Sequence, residues 1–244
     1  MTAAAQTAVV AGVGAARGLG ATLAARFAQQ GLDVFVAGRT PEKIEAVARD
    51  IAAAGHTATA FRTDVTVEAD VVALFDAAES AGPLDLAVYN AGSNMPGDFL
   101  SMEAKYFEDA WRIGCFGGFL FAREALRRMA PRGRGTLLFT GASASLRGRP
   151  RFAAFAAAKA GLRALAQSLA RDFGPQGIHV AHVVVDGGIA GDRLMLGRPE
   201  SARERGPERL IDLGALADAY AWLHSQPRNG WTHELDLRTF KEPF

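Results

Sequence analysis

The chain has 244 residues, 49% of them hydrophobic, which is enough to bury a full core and is most simply one α/β domain over residues 1–244. Its 27 basic and 26 acidic residues leave a net charge of +1, and no basic run alternates with aromatics, so no nucleic-acid partner is expected. The single cysteine, Cys115, excludes an intrachain disulfide and a cysteine-based metal cluster, fits a reducing compartment, and leaves no metal expected.

The residues before Gln6 are small and carry neither a basic region nor a long apolar core, so no signal peptide is expected. Ala8–Val10 is an apolar run that breaks into Gly12, Gly14, Gly18 and Gly20 and then enters the helical pattern Leu19 to Phe27. A strand, a glycine turn and a helix N-terminus make phosphate-binding geometry. Glycines allow close backbone approach, and the free N–H groups and positive dipole end attract the charge.

Strand-like and helix-like segments then alternate, which predicts parallel βαβ units with helices on both faces of a doubly wound sheet. Asp33 to Ala37 is the second strand; Thr40 is placed to cap the next helix, with Pro41 in its first turn. Ala58 to Arg62 is a third strand ending at Asp64-Val65, Val67 to Ala81 a helix, and Leu84 to Val88 a fourth strand running into Tyr89-Asn90-Ala91-Gly92. A long helix is predicted from Glu103 to Met129, and the glycines inside it, Gly114, Gly117 and Gly118, cost about 1 kcal/mol each against alanine. Something must approach that helix closely, or it bends there.

Thr136 to Phe139 is a fifth strand, Arg151 to Phe173 a helix, and Ile178 to Val185 a sixth strand ending at Asp186-Gly187-Gly188. The alanine-rich tract Phe152 to Ala170 is interrupted by Lys159 and Arg163 and is too polar to span a bilayer, so a cytoplasmic protein with no membrane partner is expected. Residues 191–209 are rich in Gly, Pro, Arg and Glu without apolar period and predict a mobile loop over the ligand crevice. Leu213 to His224 is a last helix and Trp231 to Leu237 a last strand.

Gly14-x-x-x-Gly18-x-Gly20, Asn90-Ala91-Gly92, Lys159 in its alanine-rich helix and Gly187-Gly188 occur in this order over nearly the whole chain. Together they resemble the short-chain dehydrogenase/reductase family. The resemblance implies a Rossmann-type domain that holds a nicotinamide dinucleotide at the carboxyl ends of its strands, acts on a small molecule, and forms a homodimer or homotetramer through its two long helices. Carried over residue by residue, it places Gly14, Ala16, Arg17, Gly18 and Leu19 at the pyrophosphate turn and Arg39 and Thr40 beyond the second strand. It also places Asp64 and Val65 at the adenine, Asn90, Ala91 and Gly92 beside the adenosine ribose, and Lys159, Gly187 and Ile189 toward the nicotinamide. The position that holds an acidic residue for NAD(H) is Gly38 here, while Arg17 and Arg39 are suited to a 2′-phosphate, so NADP(H) is expected over NAD(H).

The catalytic positions depart from the family. Its serine, tyrosine and asparagine correspond to Ala142, Phe155 and Gly114, and only Lys159 remains. A phenyl ring has no proton to exchange. Lys159 can still bond the nicotinamide ribose. Ser143 and Asp186 are replacement candidates, the first to bind a substrate oxygen and the second to act as a base or orient the carboxamide, although both residue types also serve local turns. His182 reads as a satisfied core histidine, and Tyr89, Tyr106 and Tyr220 lack the spacing of a catalytic phenol. The expected activity is an NADP(H)-dependent oxidoreductase with altered proton delivery; an isomerase or lyase, or a non-catalytic dinucleotide-binding protein, are the alternatives.

Overall fold

The computed structural model describes residues 5–242. Its seven-stranded, all-parallel sheet runs in the order β3-β2-β1-β4-β5-β6-β9. The strands are β1 (Thr7–Ala11), β2 (Asp33–Gly38), β3 (Ala58–Arg62), β4 (Leu84–Tyr89), β5 (Gly135–Thr140), β6 (Ile178–Asp186) and β9 (Glu234–Arg238). The chain leaves β1 for β2 in one direction and enters β4 on the other side, so the crevice outside the carboxyl ends of β1 and β4 is the ligand site of such a sheet.

Both faces are covered. Helices α1 (Leu19–Gln29), α2 (Pro41–Ala53) and α9 (Leu213–Ser225) pack one face through Leu23, Phe27, Ile44, Leu216 and Tyr220. On the other, α3 (Glu68–Ala81), α5 (Gly117–Met129) and α6 (Ala153–Phe173) contribute Phe75, Phe121, Met129 and Leu162. With covers on both sides, β1, β4, β5 and β6 are buried along their whole length, as their near-continuous apolar sequences require.

The predicted helix from Glu103 to Met129 is three pieces: α4 (Ala104–Trp111), a π-helical turn at Arg112–Phe116, and α5. Close approach and irregularity occur together. A Cβ on Gly114 would lie 2.6 Å from Cβ of Ala158 in α6, one on Gly117 would meet the Tyr89 hydroxyl, and one on Gly118 would strike Leu162. The Tyr89 hydroxyl donates to the carbonyl of Ile113 inside the π turn, where the normal helical ladder is interrupted. Burial pushes the Tyr89 phenol well above its ordinary pKa, so it serves as a fixed donor.

Two expectations are corrected. Thr40 occupies the N-cap position of α2, but its side chain makes no capping bond. Residues 191–209, expected as a loop without regular structure to be read from the sequence, contain short regular elements. They form α7 (Asp192–Met195), α8 (Pro199–Arg205) and a 3-10 turn, framed by the two-stranded parallel pairing of β7 (Gly188–Ile189) with β8 (Leu210–Ile211). These helices are too short to show an apolar period; Ala202 alone is buried in α8.

Candidate cofactor and active site

The glycine turn between β1 and α1 is anchored from below. Gly12 has a φ of 88°, and a Cβ there would lie 2.5 Å from the Ala91 nitrogen. Asn90 completes the clamp: its backbone N–H donates to Ala11 and its side-chain amide to the Gly12 carbonyl at 3.2 Å. Asn90 and Ala91 therefore shape the turn itself, whereas Gly92 lies against Lys159. A Cβ on Gly14 would meet nothing within 4 Å, so the turn opens onto a cradle at the N-terminus of α1, where no acidic side chain occupies the first turn. A dinucleotide pyrophosphate fits this position. Ala16 and Arg17 are exposed on the rim, while Leu19 is buried and anchors the helix.

At the end of β2, a Cβ on Gly38 would collide with the Val13 carbonyl oxygen and lie 2.8 Å from Ile44. A carboxylate side chain has no room there. Arg39 and Thr40 beside it are exposed. Among the described residues Arg17 and Arg39 make no ion pair within 4.0 Å. Val65 is buried. Asp64 accepts from the Thr66 amide at 2.9 Å and its hydroxyl at 2.7 Å. Burial pushes the Asp64 carboxyl up, but those bonds and the nearby Arg39 and Arg62 outweigh it and hold it below its ordinary pKa.

Lys159 is 4% exposed, and its Nζ donates to the Thr140 carbonyl at 2.6 Å, at the end of β5. The same nitrogen would lie 3.3 Å from a Cβ on Gly92. Burial, with a smaller contribution from Arg193, pulls its pKa down to about 8. Phe155 precedes it by one turn of α6 and is only partly buried.

The turn after β5 contains a buried polar chain that the sequence did not reveal. Ala142 donates its N–H to Ser145 Oγ at 3.2 Å, and Ser145 N–H returns a bond to the Ala142 carbonyl at 2.8 Å. Ser145 Oγ lies 3.2 Å from His182 Nε2, whose Nδ1 lies 3.0 Å from Glu234 Oε2. Arg163 closes the chain with a two-pronged contact to Glu234 at 2.6 and 2.7 Å. These distances assign the Nδ1–H tautomer, with Ser145 donating to Nε2. His182 is thus the satisfied core histidine that its strand position implied. Burial outweighs its contact with Glu234 and pulls its pKa down to about 4. Ser143, by contrast, is partly exposed, and its hydroxyl makes no hydrogen bond among the described residues.

Asp186, a candidate base, does not stand free in the crevice. It is fully buried, 3.1 Å from Arg147 and 3.4 Å from Arg238, with Arg149 at 4.0 Å. With its side chain shut off from solvent and facing these arginines, it acts as their anchor. Gly187 next to it has a φ of 155°, and Gly187 and Ile189 carry the chain into β7. The three tyrosines lie elsewhere: Tyr89 and Tyr220 are buried, and Tyr106 donates to the Met95 carbonyl at 2.9 Å.

The segment after β7 folds back across the crevice. Asp192 N–H donates to the Arg17 carbonyl at 2.7 Å, and Asp192 Oδ2 accepts from the Arg17 N–H at 3.2 Å. Arg193 donates to the Gly92 carbonyl at 3.2 Å and Arg198 to Asn94 Oδ1 at 2.9 Å. Local sequence gives no signal for these contacts, because each joins residues more than a hundred positions apart. Among the described residues no cluster of three or more His, Cys, Asp or Glu side chains could hold a metal, and no helix is long and apolar enough to cross a membrane.

Comparison with known proteins agrees with this architecture. The short chain dehydrogenase family model matches residues 6–194. The chain is 36% identical over 219 residues to cis-4-hydroxycyclohexanecarboxylate dehydrogenase of Sinomonas cyclohexanicum, covering 87% of each protein. A metagenomic short-chain oxidoreductase solved with NADP superposes with a TM-score of 0.82 at 25% identity, over 98% of this chain and 99% of that one. A 7α-hydroxysteroid dehydrogenase solved with NADH superposes with a TM-score of 0.87 at 27% identity, over 97% and 94%. These neighbours include both nicotinamide cofactors.

Proposed function

Because this chain belongs to the short-chain dehydrogenase/reductase family, we propose that its oxidoreductase chemistry uses NADP(H) and that a rearranged group, not the family's serine and tyrosine, handles the substrate oxygen. Its relatives are dehydrogenases and reductases, so the chain is an oxidoreductase of this type. The observation that carries the cofactor choice is at Gly38. The backbone there excludes the carboxylate that would select an unphosphorylated ribose, and Arg39, which follows it, with Arg17 in the glycine turn, both exposed, can bind a phosphate dianion.

Bound NADPH supplies a hydride at the nicotinamide end of the crevice. On the protein side, the Gly14–Leu19 turn holds the pyrophosphate, Asp64 and Val65 flank the adenine, and Lys159 orients the nicotinamide ribose. Ala142 and Phe155 cannot donate to a developing alkoxide. Ser143 supplies the one unengaged hydroxyl of that turn and is the candidate for the substrate oxygen. A carbonyl therefore receives a weak donor, while a substrate already carrying positive charge, such as an iminium, needs only hydride. General acid catalysis contributes about 100- to 10,000-fold, so the second class is favoured.

We also propose a homodimer or homotetramer in the cytoplasm. An apolar hollow of about 490 Å³ between α5 and α6, lined by Phe119, Leu126, Leu165, Leu169 and Phe173, supports self-association on that face, with Trp111 and Phe119 exposed beside it. The deciding experiment follows NADPH absorbance with ketones and iminium compounds side by side. NADPH consumption with an iminium but little with ketones is the expected result; no turnover with either, despite cofactor binding, favours the isomerase or sensor alternatives.

A further inference from the structure

Most arginines that pack against other elements of this fold are neutralised by carboxylates. Arg163 pairs with Glu234, Arg134 with Asp85, Arg147 with Asp186, and Arg128 with Glu124. The crevice is the exception. Among the described residues Lys159, Arg193 and Arg198 face only neutral acceptors: the carbonyls of Thr140 and Gly92 and the side-chain oxygen of Asn94. Surrounding atoms and Arg198 lower the Arg193 pKa, and Arg193 in turn lowers that of Lys159. Arg193 still remains exposed to solvent, so it lines an open cleft and is not shut inside the protein. Three cations held together without a counter-charge are stabilised by an anion placed among them.

The segments that carry them are apolar at their solvent side. Met95 follows Asn94 and is 49% exposed, while Met195 and Leu196 lie between Arg193 and Arg198 and are 42% and 75% exposed. The two arginine contacts bring these segments together across the mouth.

We propose that Arg193 and Arg198 form the anion-binding part of the substrate site, and that the substrate carries, separate from the group that accepts the hydride, a carboxylate beside an apolar body. This deepens the oxidoreductase reading and rests on it for the substrate's chemistry. The cofactor's phosphates have another place. Asp192 turns its carboxylate toward Arg17 and the glycine turn, whereas Arg193 turns the other way, to Gly92 at the Lys159 end. Arg17 and Arg39 are carried by the glycine turn and the end of β2, so the phosphate cations and the carboxylate cations sit on different segments of the crevice wall.

Calorimetric titration tests this with cyclohexanecarboxylate and benzoate, each against its carboxamide, on full-length protein with and without saturating NADP⁺. The natural protein should bind at least one acid about tenfold or more tightly than its amide. Arg193→Met and Arg198→Met should each remove that advantage while leaving amide binding unchanged. Separate titrations with NADP⁺ and inorganic pyrophosphate should give the natural affinities in both variants. Acids and amides binding alike, or neither binding, overturns the proposal in the natural protein without recourse to variants. A loss of NADP⁺ and pyrophosphate affinity with acid binding intact would assign the arginines to the cofactor and overturn it as well. Failure of the natural protein to bind any dinucleotide would sink the oxidoreductase reading, while the cofactor-free acid titration would still decide the anion site.

Discussion

Lys159 Nζ donates to the Thr140 carbonyl at 2.6 Å, so the lysine retained in α6 is fastened to the strand end that leads into the altered turn at Ala142. Its position does not depend on the missing phenol. The double change Ala142→Ser with Phe155→Tyr therefore meets a lysine already one helical turn away. Ketone reduction should rise by about 100-fold or more, the usual consequence of a restored donor at a developing oxyanion. NADPH consumption by natural, single and double variants of matched cofactor affinity measures it. An unchanged rate in the double variant would mean that the pocket no longer places a carbonyl there.

The third missing group should not be restorable by itself. A Cβ on Gly114 would lie 2.6 Å from the Ala158 methyl. Gly114→Asn should destabilise the protein by about 1–3 kcal/mol through overpacking, and Ala158→Gly in the same chain should recover part of the loss. Denaturant unfolding of the three variants gives the answer; a fully stable Gly114→Asn would show that the π turn yields.

Cofactor selection can be read at one arginine. Arg39→Ala should weaken NADP⁺ binding by about 10- to 100-fold and leave NAD⁺ affinity nearly unchanged, since only the first loses a charge-assisted bond. Paired titrations with both dinucleotides are sufficient. Equal affinities in the natural protein would reverse the assignment.

The Ser145–His182–Glu234 chain predicts an acid limit to stability. The folded pKa of His182 is about 4 against an ordinary 6.5, so the unfolded chain binds more protons between these values. Stability then falls as pH drops from 6.5 toward 4, and the loss is complete below the folded value. His182→Gln should flatten this part of the stability profile, although His179 and His224, also lowered by burial, leave a residual slope. Chemical denaturation at pH 7, 6, 5 and 4.5 checks it, with an identical slope in the variant counting against the chain.

Self-association should be lost with a charge in the apolar hollow. Phe119 is 41% exposed on α5, so Phe119→Glu should fold normally and shift the protein from an oligomer to a monomer in sedimentation velocity. A natural protein that is monomeric at all concentrations would refute the interface.

The sequence alone determined the alternation of strands and helices, because buried parallel strands and their covering helices leave strong periodic patterns. It also located the glycine turn, Asn90-Ala91-Gly92, Lys159 and the vacant catalytic positions Ala142 and Phe155, each recognisable by residue type and spacing. Tertiary structure decided what distant residues do to one another. The arginines around Asp186 come from two separate segments, the turn after β5 and the end of β9, Glu234 reaches His182 from the last strand, and Asn90 bonds a turn 78 residues away. The short helices of 191–209 and their grip on Arg17, Gly92 and Asn94 were likewise invisible, since a single helical turn has no period to detect and its partners are set by the packing of the sheet. Charge shows the same division: composition reports a nearly neutral chain, and only folding gathers unpaired cations on one side of the crevice, because pairing depends on distance in space and not on order along the chain.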